Sequence, residues 1–209
     1  REGVPSIINP FDENALEAAI QLKEKHDARV IVISMGPPQV EEALRQTIAM
    51  GADEIILVSD RAFAGADTWA TSYTLSQTIK QVGNFDLILC GKQAIDGDTA
   101  QVGPGIAEFL DIPQITFAKE ITYENEKLRV KRVIEDGYEL IETDLPVLVT
   151  VNKEINEPRY PSLKGKMKAK SAALEVFNSE YIKADENKIG LNGSPTKVVK
   201  IFSPPVKGN

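Results

Sequence analysis

The chain has 209 residues, 42% of them hydrophobic and 26% charged, with a formal net charge of −7 at pH 7. This is enough apolar material to bury one ordinary core, which excludes a chain too polar to fold. The negative charge argues against general nucleic-acid binding, which draws on clustered Lys and Arg, and one cysteine with one histidine excludes an internal disulfide and a His/Cys zinc cage built from this sequence. No run approaches the ~18 apolar residues of a bilayer span, and residues 1–15 lack the basic-then-apolar profile of a secretory signal, so a cytoplasmic protein without a membrane span is expected. The chain opens on Arg1 and closes on a Pro-rich stretch, 203–209, that reads as an unfinished linker; both ends are expected to continue.

In chain order, residues 14–25 carry Leu16, Ala19 and Ile20 at helical spacing behind Pro10 and Asp12, which predicts a helix. Residues 29–34 form a β-branched run ended by Gly36-Pro37-Pro38, the pattern of a strand buried on both faces. A helix follows over 40–50, stopped by Gly51. Residues 54–59 repeat the buried-strand pattern, 68–82 read as a helix and 85–90 as a third strand, with a further short helix over 103–110. The βαβαβα alternation calls for a doubly wound, mostly parallel sheet with helices on both faces. After Pro113 the pattern alternates apolar and polar over 115–133 and 138–152, which predicts an antiparallel meander at one edge of the sheet. From 157 to 170 the sequence turns to Pro, Arg, Gly and Lys and is expected to be a long exposed arm. The predicted organisation is therefore an α/β domain with its antiparallel extension over 1–153 and an arm with a C-terminal segment over 154–209.

In open α/β sheets ligands lie beyond the carboxyl ends of the strands. The connection after the third strand is Gly91, Lys92, Gln93, Ala94, Ile95, Asp96, Gly97, Asp98, Thr99, Ala100, Gln101 and Val102, leading into a helix at Gly103. Small residues let such a backbone approach a ligand, amides near Thr99 and Gln101 can face a phosphate at the positive end of the helix, and the two side chains add donors. On composition alone the segment serves equally well as a plain strand-to-helix turn. It has neither a Walker-type Lys-Ser/Thr pair nor the G-x-G-x-x-G fingerprint. Asn9, Pro10, Phe11 and Asp12 could add polar edges to the same crevice or simply start a helix, and Met35 with Gly36 could lie beside an adenine or serve packing and a turn. Asp96 and Asp98 have no second acidic cluster to complete a magnesium site or a carboxylate pair, and Cys90 reads as a buried small hydrophobe. No residue is predicted to be a catalytic acid, base or metal ligand.

At these residues the chain resembles the electron-transfer flavoprotein beta subunits. The nucleotide loop of that family is similar to Gly91-Lys-Gln-Ala-Ile-Asp96 with the following Gly-Asp-Thr-Ala-Gln-Val-Gly103, and its signature recurs through Val130, Arg132, Glu135, Asp136, Gly137, Glu139, Ile141, Pro146, Leu148, Val149 and Thr150. A third match, Asn156-Glu-Pro-Arg-Tyr160 with Leu163 and Met167-Lys-Ala-Lys170, resembles the family's recognition loop. The resemblance implies a fold of the adenine nucleotide alpha hydrolase-like type and a heterodimer with an alpha subunit that carries the electron-transferring FAD. It implies that residues Asn9 to Asp12, Met35 and Gly91 to Val102 hold an adenine nucleotide, AMP in simple members and a second FAD in electron-bifurcating ones. The run after Asp96 is closer to the bifurcating bacterial type, so FAD is expected, with NADH as reductant and ferredoxin or flavodoxin as low-potential acceptor. Glu157, Pro158, Arg159, Tyr160, Leu163, Lys164, Lys166, Met167, Lys168 and Lys170 are implied to meet an acyl-CoA dehydrogenase or similar flavoenzyme, with Leu163 as the anchor. By composition alone the four lysines are a solvated charge run.

The family pattern also includes a first strand ending in Pro-Asp ahead of Arg1 and a segment beyond Asn209 that wraps the alpha subunit, and neither is in this sequence. Two alternatives remain: a stand-alone adenine-nucleotide-binding regulator comparable to universal stress proteins, whose phosphate loop would end in Gly-Ser or Gly-Thr, and an adenylating or pyrophosphatase enzyme with a Ser-Gly-Gly loop.

Overall fold

The computed structural model describes residues 7–200; Arg1 and the linker-like stretch 203–209 lie outside the described residues. Helix α1 spans Pro10–His26 and so begins four residues before the expected start. Proline at the first helical position has its φ already set and no amide to leave unpaired, and Asp12 and Glu13 in the first turn with Lys23, Lys25 and His26 in the last complement the helix dipole. Strand β1 (Ile31–Met35), helix α2 (Glu41–Met50), strand β2 (Glu54–Val58) and helix α3 (Thr68–Val82) follow, then β3 (Leu87–Gly91) and α4 (Val102–Leu110). Gly51 stops α2 at φ 140°, a conformation open to glycine, and Asp67 caps α3 by accepting from the Trp69 and Ala70 amides at 3.0 and 3.1 Å.

The strands β4 (Gln114–Glu124), β5 (Lys127–Ile134) and β6 (Gly137–Thr143) form the antiparallel extension that alternation predicts. The stretch 138–152 is not one strand, however. It breaks at Pro146, which has no amide for a ladder, and resumes as β7 (Val147–Val151), all five residues buried. An unbroken apolar run belongs inside a parallel sheet, and β7 lies between β3 and β4, parallel to both. The sheet order is β3-β7-β4-β5-β6.

A second departure concerns the expected arm. Residues Leu163–Ser171 form helix α5, and Leu174–Phe177 form β8, which pairs in parallel with β2 to give a separate sheet of order β1-β2-β8. Gly165 lets α5 come against α2, since a Cβ there would fall 2.1 Å from the Ala49 carbonyl oxygen, and Arg45 donates to the Ala169 and Ala172 carbonyls at 2.8 and 3.0 Å. Only Ala169 of α5 is buried, which is why hydrophobic periodicity gave no helix there.

On one face α1 packs Leu16 and Ile20 with Ile48 of α2 and Ile55 of the first sheet, and Ala15 with Val147 and Val149 of the second. On the other, Tyr73 of α3 packs with Ile56 and Phe177, and Ile106 of α4 with Leu148. Both sheets are thus layered between helices. Among the described residues β1 pairs only with β2 and β3 only with β7, so each sheet has an unpaired edge there, and Ile33 of β1 and Ile88 of β3 pack against the same cluster around Ile106.

Candidate nucleotide-binding site

The 91–102 connection leaves the carboxyl end of β3 and is held from below by the first turn of α1. The Asp12 carboxylate accepts the Gly91 amide at 2.7 Å, Asn9 Nδ2 donates to the Gln93 carbonyl at 2.8 Å, and Asn9 Oδ1 accepts the Ile95 amide at 3.2 Å. Asn9 Nδ2 also donates to Asp12 at 2.9 Å, which ties the two holding residues together. The approach is close: a Cβ on Gly91 would lie 2.6 Å from both the Phe11 carbonyl carbon and its Cβ. Pro10 sets the helix start, so of the four residues expected here only Asn9 and Asp12 touch the loop through polar side-chain atoms, and they hold it.

Asp12 keeps one side open to solvent while its carboxyl is aimed at Gly91. Crowding around that carboxyl raises its pKa above the ordinary aspartate value, against the hydrogen bonds from Asn9 and Gly91 that favour the charge. Burial, with the Asp12 charge nearby, pushes the Cys90 thiol up to about 12, so Cys90 is no nucleophile at neutral pH.

Beyond Gly91 the loop turns on itself through the Asp98 amide, which donates to the Ala94 carbonyl at 2.9 Å. Asp98 and Ala100 sit in the left-handed region at φ 51° and 53°, and the amides of Thr99, Ala100 and Gln101 have no acceptor among the described residues. Left-handed residues alternating with ordinary ones turn successive amides toward a shared concavity suited to an anion, here directly before α4. The acidic residues are engaged locally: Asp96 accepts the Gly97 amide at 2.8 Å and Asp98 accepts from Gln93 Nε2. Gln93 therefore shapes the loop. Thr68 donates to Gln101 Oε1 at 3.1 Å, which leaves the Gln101 amide nitrogen as a donor. Gly103 brings the start of α4 onto β7, where a Cβ would meet Thr150 Cγ2 at 2.7 Å. The geometry thus fits the phosphate end of a nucleotide. Met35 ends β1 opposite Val58, and its side chain packs partly into the cluster around Phe63 and Tyr73.

Residues that the sequence reading did not single out complete the rim. Phe117 lies in the β4 bulge at φ 62°, uncommon for an aromatic residue, with its amide donated to Thr150 Oγ1 at 3.1 Å and Lys92 Nζ 5.3 Å from its ring centroid. Lys153 Nζ stands 4.9 Å from the Phe11 ring centroid. Alternation gives no signal for a bulge, so these positions were not legible. Two surface depressions lie elsewhere, one of about 250 Å³ between α1 and β4 and one of about 430 Å³ beside Pro38 and Arg45. Neither adjoins the loop. The loop's chemistry, free amides at the rim of a parallel sheet, makes it the better candidate than either concavity.

The implied partner-binding residues divide into two groups. Tyr160, Leu163 and Met167 are 95%, 84% and 74% exposed, an unusual display of apolar surface. Lys164, Lys166, Lys168 and Lys170 are exposed beside them without ion pairs among the described residues, although Lys168 also donates to the Ala52 carbonyl at 3.3 Å. Glu157 is exposed and Pro158 half-buried. Arg159 is turned inward, onto Glu17 and Glu24 of α1.

Parallel strands layered between helices, with a free-amide loop at their carboxyl rim, define this as a doubly wound α/β protein. Its residues 1–180 match the family model described as electron transfer flavoprotein domain, and the chain belongs to that family. It is 56% identical over 205 residues to an electron transfer flavoprotein subunit beta of Thermoanaerobacterium thermosaccharolyticum, a match covering 98% of this chain and 78% of the relative. It is 55% identical over 209 residues to the caffeyl-CoA reductase-Etf complex subunit CarD of Acetobacterium woodii, covering all of this chain and 80% of the relative. A third relative, the acryloyl-CoA reductase electron transfer subunit gamma of Anaerotignum propionicum, is 46% identical over 215 residues, covering all of this chain and 80% of the relative. These matches support an electron-transfer role and do not favour the stand-alone regulator. No helix among the described residues is long and apolar enough to cross a membrane.

Proposed function

We propose that the chain is the beta subunit of a cytoplasmic heterodimer and that its 91–102 loop binds the phosphate end of an adenine nucleotide, FAD in preference to AMP. The observation that carries this reading is the set of acceptor-free amides at Thr99, Ala100 and Gln101, ahead of α4 and at the carboxyl end of β3. When bound, the flavin supplies the redox chemistry. The chain's own contribution is to hold and orient: Asn9 and Asp12 fix the loop, Thr99 and Gln101 offer donors, and Lys92 adds a positive charge at the rim. The reading gives the heterodimer NADH or a reduced dehydrogenase as electron source, and a flavoenzyme of the acyl-CoA dehydrogenase type and ferredoxin or flavodoxin as acceptors. The arm, 154–209, belongs to the contacts with partners, with Leu163 as its anchor and the neighbouring lysines steering an acidic surface.

The visible absorption spectrum of the protein co-expressed with its alpha subunit, together with the nucleotide released on denaturation, tests the cofactor. Two flavins per heterodimer support FAD on this chain, and one flavin with one AMP assigns AMP instead. Release of neither nucleotide from this subunit contradicts the reading. Leu163→Ala tests the arm: it is expected to weaken transfer to the dehydrogenase at unchanged nucleotide content, because a hydrophobic anchor costs about 2 kcal/mol or more when truncated, whereas unaltered transfer kinetics discard the assignment.

A further inference from the structure

The segment that presents Leu163 is lashed to α1 by a set of side chains of which the innermost, Glu17, is buried. Glu17 is 4% exposed, and a carboxylate so placed is costly unless it is fully engaged. Its Oε2 accepts Arg159 Nε at 2.8 Å and the Arg159 backbone amide at 3.2 Å, while its Oε1 accepts Arg159 Nη2 at 3.0 Å and Gln21 Nε2 at 2.9 Å. The outer side of the same guanidinium meets Glu24 at 2.5 and 3.1 Å. One helical turn earlier, Asn14 Nδ2 donates to the Asn156 carbonyl at 2.8 Å and Asn156 Nδ2 returns a bond to the Asn14 carbonyl at 3.0 Å. Burial opposes the Glu17 charge, but the hydrogen bonds from Arg159 and Gln21 outweigh it and lower the pKa, so the ion pair is intact at neutral pH.

From these contacts we infer that Glu17 is a positioning residue for partner recognition, acting through Arg159 to hold residues 156–163 in the one arrangement that presents Leu163. The inference deepens the recognition reading and rests on it. Three residues separate Arg159 from Leu163, and α5 is fixed at its far end by Arg45 and in its first turn by Gly165, so the segment is secured on both sides of the exposed anchor. A segment held before docking loses less freedom on docking than a loose arm would.

The test measures transfer from the reduced heterodimer to its acceptor dehydrogenase for wild type, Glu17→Gln, Leu163→Ala and the double variant. Glu17→Gln is expected to raise KM for the dehydrogenase about tenfold at unchanged kcat and nucleotide content, the change that corresponds to losing one charge-assisted hydrogen bond. In the Leu163→Ala background the same substitution should add little, because the anchor it positions is gone. Arg159→Lys, which keeps the charge without the two-pronged geometry, should retain part of the affinity. Amide exchange over 156–171 should quicken in Glu17→Gln while that of the 91–102 loop stays constant. Should Glu17→Gln fail to fold, Glu24→Gln removes the outer half of the pairing and is read by the same criterion. An unchanged KM, or effects of Glu17→Gln and Leu163→Ala that simply add, overturns the inference while leaving Leu163 as anchor; a Leu163→Ala protein with normal KM overturns the recognition reading itself.

Discussion

The most informative perturbation of the site is Asn9→Ala. The Asn9 side chain makes two hydrogen bonds to the loop, one to the Gln93 carbonyl and one from the Ile95 amide, and neither group has another partner among the described residues. At about 1 kcal/mol each their loss is worth about 2 kcal/mol of loop order, and that cost passes to nucleotide binding because the loop must then be ordered by the ligand. At 1.4 kcal/mol per factor of ten this is about a thirty-fold rise in Kd. Asn9→Asp keeps an acceptor for Ile95 but sets a second carboxylate against Asp12 and the Gln93 carbonyl, so its Kd is expected to rise at least as much. Isothermal titration of nucleotide-depleted heterodimer with AMP reads both values, with the thermal midpoint as a control for folding. A Kd for Asn9→Ala within about twofold of wild type would refute the argument that the first turn of α1 holds the binding loop.

Two further outcomes follow from ionisation. The Cys90 thiol, pushed up to about 12, should react slowly with iodoacetamide at pH 8 in the native protein and promptly in denaturant; fast native alkylation, read by mass spectrometry, would contradict the raised pKa. Asp60, held charged mainly by the Ser179 hydroxyl and by the Ala62 and Ser179 amides, has a folded pKa below its unfolded one, as do Asp67 and Glu17. Their stabilisation is present above the ordinary carboxylate range and is lost as pH falls through the folded values. The thermal midpoint should therefore drop between about pH 5 and pH 3, and less steeply in Asp60→Asn, which calorimetry across that range would show.

The parallel layering was legible because β1, β2 and β3 are short apolar runs between helical stretches; α3 begins and ends at the residues expected, 68 and 82. The loop at 91–102 was legible from its small residues and its place after a buried strand. What holds the loop was not, because the roles of Asn9 and Asp12 depend on contacts across about eighty positions of sequence. The place of β7 was hidden for a different reason: it follows an antiparallel hairpin in sequence yet returns to the middle of the sheet, and local pattern does not fix strand order. Helix α5 was missed because a lysine-rich segment with one buried alanine carries no hydrophobic stripe; a glycine's fit against Ala49 and the reach of Arg45 make it a helix in place. The inward turn of Arg159 escaped notice because a charged residue in a basic stretch reads as surface until its buried partner, Glu17, is known.

The central claim, that the connection after β3 grips the phosphate end of an adenine nucleotide, is tested most directly by amide hydrogen exchange of the heterodimer with and without its nucleotide. Bound nucleotide is expected to protect the amides of Thr99, Ala100 and Gln101 most strongly, with weaker protection through the first turn of α1. Protection confined to another surface, with the exchange of those three amides unchanged, would contradict it.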